Sequence, residues 1–212
     1  MSLRDSENMW VLGGFLGAVA LVAALVLAWV SGLTANPIRE AKEKNRNKML
    51  SHLQLPEFDR VGNVVKVGGI DFCAVYKGGK LVGFVGQGCT REGYAGEIEV
   101  MVGINVDGKI TTVQILRHKE TPGLGANVCD RKFQRSVTNL RAKAPEIPEN
   151  SFLDQFNQRE TGTAGGWKIS KDGGDIEYRT GATVSSRAIT ALVDEIAGKF
   201  AANRVKIQEG SK

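Results

Sequence analysis

The sequence predicts an α+β protein, in which a single N-terminal transmembrane helix precedes a soluble domain of twisted antiparallel sheets with flanking helices. Three observations support this fold class. Residues 10–33 carry no charged side chain. Residues 61–116 alternate between apolar and polar side chains around two glycine-containing turns, as antiparallel strands do. Residues 184–200 place apolar side chains at helical spacing.

Composition sets limits on the partners of the protein. The 212 residues include 28 basic and 23 acidic side chains, which gives a net charge of +5. Five basic and two acidic residues between positions 39 and 48 supply +3 of that charge. The rest of the chain is therefore close to balanced, and we expect no nucleic-acid partner.

The three cysteines indicate neither a disulfide framework nor a metal site. Cys73, Cys89 and Cys129 are an odd number, and none forms a Cys-x-x-Cys pair or a Cys/His cluster at metal-ligand spacing. His118 and His52 are the only histidines in the sequence, and their placement suggests no Ser-His-Asp or Cys-His order. We expect structural thiols, no bound metal and no catalytic acid–base residues.

Residues 10–33 form the predicted transmembrane helix. Their 24 uncharged residues exceed the apolar core of a signal peptide, and tryptophans lie toward both ends. One basic residue precedes the segment, whereas five follow it at positions 39–48. By the positive-inside rule, this asymmetry alone would leave the following domain in the cytoplasm.

A second helix is predicted directly after the span. Asn36 can cap it, Pro37 suits its first position, and Glu40 lies in its first turn. We expect this membrane-proximal helix to end near Leu53, before Pro56. Its basic residues could face lipid phosphates, a protein partner or simply solvent.

Two hairpins are predicted between residues 61 and 116. The first turns at Gly78-Gly79, and the second turns at Asp107-Gly108. No segment between them has the length of a crossover helix, so the strands are expected to be antiparallel. The second hairpin leads into Glu120-Thr-Pro-Gly-Leu-Gly125, whose proline and glycines predict a rigid turn where a planar ring could pack.

The chain after this turn is predicted to mix short helices and strands. We expect a helix over 128–140 with Phe133 and Val137 facing inward, a proline-rich loop over 144–149, and one helical turn over 151–156. Strands are expected at 167–169 and at 176–178, the second ending where the next helix begins.

That last helix begins within Thr180-Gly-Ala-Thr183-Val-Ser-Ser186. Unpaired N–H groups and the helix dipole attract anions such as phosphate at a helix start, and Gly181 permits close backbone approach. The hydroxyls of Thr183 and Ser185 could equally serve as ordinary helix caps. Chemistry alone leaves both interpretations open.

The string from 180 to 186 resembles the Ser/Thr-Gly-Ala-Thr-x-Ser/Thr-Ser motif of the FMN-binding domain family. This domain occurs in the G subunit of the Rnf electron-transport complex and in the C subunit of the sodium-pumping NADH:quinone reductase. Residues 120–125 resemble a second family segment, which lies beside the flavin. Gly93-Tyr-Ala-Gly96 and residues 103–110 also follow the family order, while Glu177 and Thr180 replace its usual Asp and Ser.

The resemblance implies a covalently bound FMN. The family attaches the FMN phosphate by a phosphoester to the hydroxyl of the threonine that corresponds to Thr183. The other FMN contacts that the resemblance implies are Thr180, Gly181, Ala182, Val184, Ser185, Glu120, Thr121, Gly123, Leu124 and Gly125.

The resemblance also implies a role and a location. The expected protein is an electron-relay subunit of an ion-translocating ferredoxin:NAD oxidoreductase of the Rnf type, at the cytoplasmic (inner) membrane with its flavin domain on the periplasmic side. Its expected partners are other membrane and redox subunits, membrane lipid and a separate flavin transferase. The short chain favours the G subunit of Rnf over the C subunit of the quinone reductase.

One alternative from a different class is a tethered module that binds an anion or a peptide, or senses it, without a redox cofactor. The expected organisation is the same in each case. It comprises an N-terminal tail (1–9), the span (10–33), the membrane-proximal helix and linker (34–58), the FMN-binding domain (59–205) and a C-terminal tail (206–212).

Overall fold

The computed structural model describes residues 3–51, 53–132, 147–163 and 165–212, with the main chain alone described for 3–9 and 35–51. The chain divides into two compact units, Met1–Asn47 and Lys48–Lys212. The predicted inward positions of Phe133 and Val137, together with residues 144–146 of the predicted loop, lie outside the described residues.

The N-terminal unit is helical. Helix α1 comprises Leu3–Ser51, and within it Trp10–Thr34 has a mean hydropathy of 2.6 and no buried side chains. By length and composition, this segment is the one helix among the described residues that could cross a membrane. The prediction of a new helix at Asn36 was wrong, because α1 continues through Pro37. A proline removes one helical N–H donor, but its fixed φ is itself helical.

The second unit is built on one antiparallel sheet of six strands. The strands are β1 (Arg60–Val61), β2 (Val65–Val67), β3 (Ile70–Lys77), β4 (Lys80–Gly93), β5 (Gly96–Asn105) and β6 (Ile110–His118). Their order is β1-β3-β4-β5-β6, and β2 also pairs with β3. The predicted α+β class and antiparallel pairing are confirmed.

Both predicted hairpins are present. Lys77 pairs with Lys80 around Gly78-Gly79, and both glycines have positive φ, as a two-residue hairpin turn requires. Gly108 also has a positive φ in the turn between β5 and β6. A third hairpin was not predicted: Gly93 pairs with Gly96, so Tyr94 and Ala95 form the tip between β4 and β5.

The two faces of the sheet carry separate apolar clusters, because successive strand residues point to opposite faces. The larger cluster includes Phe72, Phe84 and Val102, and helix α3 (Thr183–Gly210) packs on it through Ile196 and Phe200.

The smaller cluster includes Val75, Val85, Met101 and the fully buried Leu53. Thr111 Oγ1 donates a 2.6 Å hydrogen bond to the carbonyl oxygen of Leu53. Leu53 therefore packs on the sheet of the second unit, before residue 59, where the FMN-binding domain was expected to begin.

Helix α3 is longer than the sequence indicated. Its main chain departs from helical geometry at Asn203, yet the helix continues to Gly210, and Ile207 is fully buried in the larger cluster. The N–H of Asn63 donates to Ser211 O at 3.1 Å. Residues 206–212, expected as a tail, thus pack against the domain.

The segment before α3 differs most from prediction. Helix α2 comprises Ala126–Cys129 and ends before Asp130, which is extended with ψ of 134°. Residues 133–140 of the predicted helix lie outside the described residues. A 3₁₀ helix at Leu153–Phe156 confirms the predicted turn, and Phe152 and Phe156 are buried. The strands predicted at 167–169 and 176–178 are absent: a single parallel bridge joins Ile169 to Ile176, around a 3₁₀ helix at Ser170–Asp172.

Candidate functional site

The two sequence motifs meet at one cavity. The turn after β6 and the start of α3 together line a space of about 330 Å³. The lining residues are Tyr94, Glu120, Thr121, Leu124, Gly125, Gly181, Ala182, Thr183, Val184 and Ser185. Among the residues predicted as contacts, Thr180 and Gly123 are not part of this lining. Tyr94 is part of it and was missed.

Thr183 is the first residue of α3. The residue before it, Ala182, occupies the N-cap position, and no side chain caps the helix there. The first backbone bond of the helix runs from Ser186 N–H to Ala182 O at 2.8 Å. Within the described residues, no side chain therefore accepts hydrogen bonds from the first-turn N–H groups. These groups point toward the N-terminal end of α3, where the cavity lies.

The hydroxyl groups of the motif have different surroundings. Ser185 is buried and its Oγ donates to Glu120 Oε2 at 2.9 Å, while Ser186 is fully buried and its Oγ accepts from Arg179 N–H at 3.4 Å. Thr180 is exposed outside the cavity. Thr183 is half-buried, lines the cavity, and has no hydrogen-bond partner for Oγ1 within the part of the chain that the structure describes.

Glu120 is a buried carboxylate at the centre of the site. Its side chain accepts hydrogen bonds from Ser185 Oγ at 2.9 Å and from the N–H of Ala95 at 3.2 Å, and the residue is 5 % exposed. The capping alternative for Thr183 and Ser185 is not observed, because no described side chain caps α3 and Ser185 donates to Glu120 instead. This contact joins residues 65 positions apart in the sequence.

His118 positions the main chain of Glu120. The N–H of Glu120 donates to His118 Nδ1 at 3.1 Å, which requires the ring proton on Nε2, and Nε2 lies 2.7 Å from Asp130 Oδ1. Burial raises the pKa of Asp130, but hydrogen bonds from Lys132 and His118 outweigh it and lower this pKa overall. Both bonds of His118 orient neighbouring residues, and its ring is not in the cavity lining.

Two glycines allow the motifs to approach each other. Gly181 has a φ of +84°, and a methyl group added there would lie 3.2 Å from Leu124 Cδ2. At Gly125 an added methyl group would collide with Glu120 Oε2 and lie 2.9 Å from Ser185 Oγ. A larger residue at Gly181 would press on the facing turn, and one at Gly125 would displace the Glu120 side chain and crowd Ser185.

The rim of the cavity is apolar and exposed. Tyr94 is 74 % exposed, Leu124 50 % and Val184 43 %. Each comes from a different segment: the β4–β5 tip, the turn after β6 and the first turn of α3. Such a rim suits a planar apolar ring whose polar tail reaches the N–H groups of a helix start.

The cavity at Thr183 is not distinguished from other cavities by its volume. A second cavity of about 510 Å³ is lined partly by Asp130, Lys132, Glu149 and Arg179, and thus by charges of both signs. It contains neither the Thr183 hydroxyl nor the first-turn N–H groups of α3. Among the described residues, no group of three or more His, Cys, Asp or Glu could hold a metal ion.

Comparison with protein families gives one match that covers both motifs. Residues 93–197 match the model of the FMN-binding domain, a range that contains the β4–β5 tip, the turn after β6 and the start of α3. Residues 93–197 form an FMN-binding domain. The predicted family is confirmed.

Relatives are similar over most of the chain. It is 28 % identical to the G subunit of the ion-translocating oxidoreductase complex of Pseudomonas aeruginosa, with 91 % of this chain and 88 % of the relative aligned. It is 26 % identical to the G subunit of the proton-translocating ferredoxin:NAD(+) oxidoreductase complex of Clostridium ljungdahlii, with 91 % of each chain aligned. The G subunit of the ion-translocating oxidoreductase complex of Pseudoalteromonas atlantica is 33 % identical over 135 residues, which span 64 % of this chain and 56 % of that protein.

Proposed function

We propose that this protein is the FMN-carrying electron-relay subunit of a membrane-bound, ion-translocating ferredoxin:NAD oxidoreductase of the Rnf type. The family match and the names of the relatives support this role. The observation that carries it is the meeting of the Thr183 helix start with the 120–125 turn at one cavity.

The residues present fit an FMN molecule. Unpaired N–H groups and the positive end of the α3 dipole favour a phosphate beside Thr183. The exposed side chains of Tyr94, Leu124 and Val184 suit the isoalloxazine ring. Bound FMN supplies the electron transfer, and the protein supplies attachment, orientation and electrostatics.

Thr183 is the proposed point of attachment, by a phosphoester between its Oγ1 and the flavin phosphate. Its surroundings support this choice over the neighbouring hydroxyls, since Ser185 and Ser186 are buried and hydrogen-bonded, and Thr180 lies outside the cavity. The proposed attachment requires a separate flavin transferase and a flavin dinucleotide as the activated donor. The Thr183 oxygen bonds to the flavin phosphorus and loses its proton, while the pyrophosphate P–O bond breaks and a nucleoside monophosphate leaves.

The other residues of the site position the flavin. Glu120, Thr121, Leu124 and Gly125 form the wall opposite the helix start. No acid–base residue is needed, because electrons enter and leave the flavin through partner subunits. Gly123 and Thr180 are not in the cavity lining, and we propose that they shape the two turns.

The proposed location is the cytoplasmic (inner) membrane, with α1 as a single span in contact with lipid and the flavin domain on the periplasmic side. The family resemblance favours this side, whereas the basic residues at 39–48 favour the opposite one. Long domains can cross regardless of flanking charge, and partner subunits can fix the orientation of one helix.

Expression in the native host, or with the flavin transferase, tests the proposal. Full-length wild type, Thr183→Ala and the matched control Thr180→Ala are separated on a denaturing gel and imaged for flavin fluorescence. We expect fluorescent bands for wild type and Thr180→Ala, and none for Thr183→Ala. A wild type that is colourless after purification and dialysis would instead favour a tethered binding module.

A further inference from the structure

The Glu120 side chain connects two segments that are far apart in sequence. One carboxylate oxygen accepts from Ser185 in the first turn of α3, and the other accepts from the N–H of Ala95 at the β4–β5 tip. We name this pair of hydrogen bonds the Glu120 bridge. It lies beneath the cavity rim, where Glu120 is 5 % exposed.

The surrounding main chain is shaped to admit the Glu120 bridge. A methyl group at Gly93 would lie 2.7 Å from Glu120 Oε1, and one at Gly125 would collide with Oε2. Among the described residues, the Glu120 side chain contacts hydrogen-bond donors but no cationic side chain. A buried carboxylate without a cation is costly unless its oxygens are hydrogen-bonded, so the two donors are tightly constrained in position.

Tyr94 is the residue that the Glu120 bridge places. It precedes Ala95 at the hairpin tip, lines the cavity and leaves 74 % of its surface exposed. The Tyr94 side chain therefore contributes little to either apolar cluster of the sheet. Its ring is positioned at the rim that also contains Leu124 and Val184, where a planar ligand would supply the missing contact.

We propose that Tyr94 packs against the isoalloxazine ring, and that Glu120 is the positioning residue that fixes the Tyr94 tip relative to the helix start. This inference rests on the proposed function, because it needs the flavin in this cavity. It adds a contact from a third segment and assigns Glu120 a role exerted through Ala95 and Ser185, not by direct chemistry.

Time-resolved flavin fluorescence tests both parts. A tyrosine ring in contact with an excited flavin quenches its fluorescence by donating an electron, which then returns without emission of light. This shortens the fluorescence lifetime. Phenylalanine is much harder to oxidise and does not quench the flavin in this way. The experiment uses full-length, flavin-loaded protein in detergent, with lifetimes compared between wild type, Tyr94→Phe, Glu120→Ala and Glu120→Gln.

We expect wild type to show a dominant short-lived component that is lost in Tyr94→Phe. Glu120→Ala should lose it too, because the tip is no longer fixed. Glu120→Gln should retain it, since the amide can accept from Ala95 N–H and donate to Ser185 Oγ. Glu92→Ala removes an exposed carboxylate from the same hairpin and should behave as wild type.

Ser185→Ala removes one bond of the Glu120 bridge and should give an intermediate lifetime, which keeps the test valid if Glu120→Ala does not fold. An unchanged lifetime in Tyr94→Phe would overturn the contact. Unchanged lifetimes in both Glu120→Ala and Ser185→Ala would overturn the positioning role. Absence of flavin from the wild type would overturn the proposed function itself, and this inference with it.

Discussion

Gly125→Ala tests how closely Glu120 and Ser185 pack against Gly125. Gly125 has a φ of −59° and a ψ of −32°, a conformation that alanine adopts freely. Any loss must therefore come from the contacts of the added methyl group, which would collide with Glu120 Oε2 and lie 2.9 Å from Ser185 Oγ.

The expected loss follows from these contacts. Overpacking costs about 1–3 kcal/mol, and displacing Glu120 from a hydrogen bond adds about 1–3 kcal/mol. The free energy of unfolding should thus fall by roughly 2–6 kcal/mol. With a urea dependence near 2 kcal/mol/M, the midpoint should fall by roughly 1–3 M.

Gly198→Ala is the matched control with the opposite sign. Gly198 lies in α3, is exposed, and has no atom within 4 Å of an added methyl group. Alanine should therefore stabilise the helix by about 0.5–1 kcal/mol. Urea unfolding of the protein lacking residues 1–35 measures both variants. Equal midpoints for Gly125→Ala and wild type would refute the packing of Glu120 against this glycine.

Three further predictions concern the rest of the chain. Leu53→Ala in the protein lacking residues 1–35 should cost about 2–5 kcal/mol, seen as a fall in Tm of roughly 4–20 °C, because Leu53 is fully buried; an unchanged Tm would show that it does not belong to the domain core. Cys89 is an exposed residue, but partial burial of its thiol and a hydrogen bond to Glu97 raise the pKa of that thiol to about 11. Alkylation near neutral pH should therefore be slow and should accelerate in Glu97→Ala. Fast alkylation of the wild type would contradict this. An introduced cysteine near Lys212 should react with a membrane-impermeant thiol reagent in intact cells, and labelling only after lysis would place the domain in the cytoplasm.

Local signals made the hairpins predictable from the sequence. Gly78-Gly79 and Asp107-Gly108 specify tight turns by their own backbone preferences, and the alternation of the flanking strands agrees with them. The unpredicted third hairpin has Tyr94 and Ala95 at its tip, which carry no such turn signal. The sequence signal available for this turn was the glycine at position 96, which has a φ of +103° in the structure.

Contacts between distant segments limited how much of the site could be predicted from the sequence. The motifs identified which residues would lie near the cavity, but no spacing rule brings Ser185 to Glu120 or Ala95 to the same carboxylate. Gly125 illustrates the difficulty: its conformation is ordinary, and its need to be glycine arises only from the nearby Glu120. Likewise, Ile207 belongs to the core through packing on the sheet, so the helix periodicity up to Phe200 underestimated α3.

The most direct measurement of the central claim is the mass of the tryptic peptide 180–187 from wild-type protein made with the flavin transferase. Cleavage after Arg179 and Arg187 isolates this peptide, which contains all four motif hydroxyls. We predict that it carries the mass of FMN less one water, and that fragmentation locates the adduct on Thr183. An adduct on Thr180, Ser185 or Ser186, or an unmodified peptide from yellow protein, would contradict the attachment.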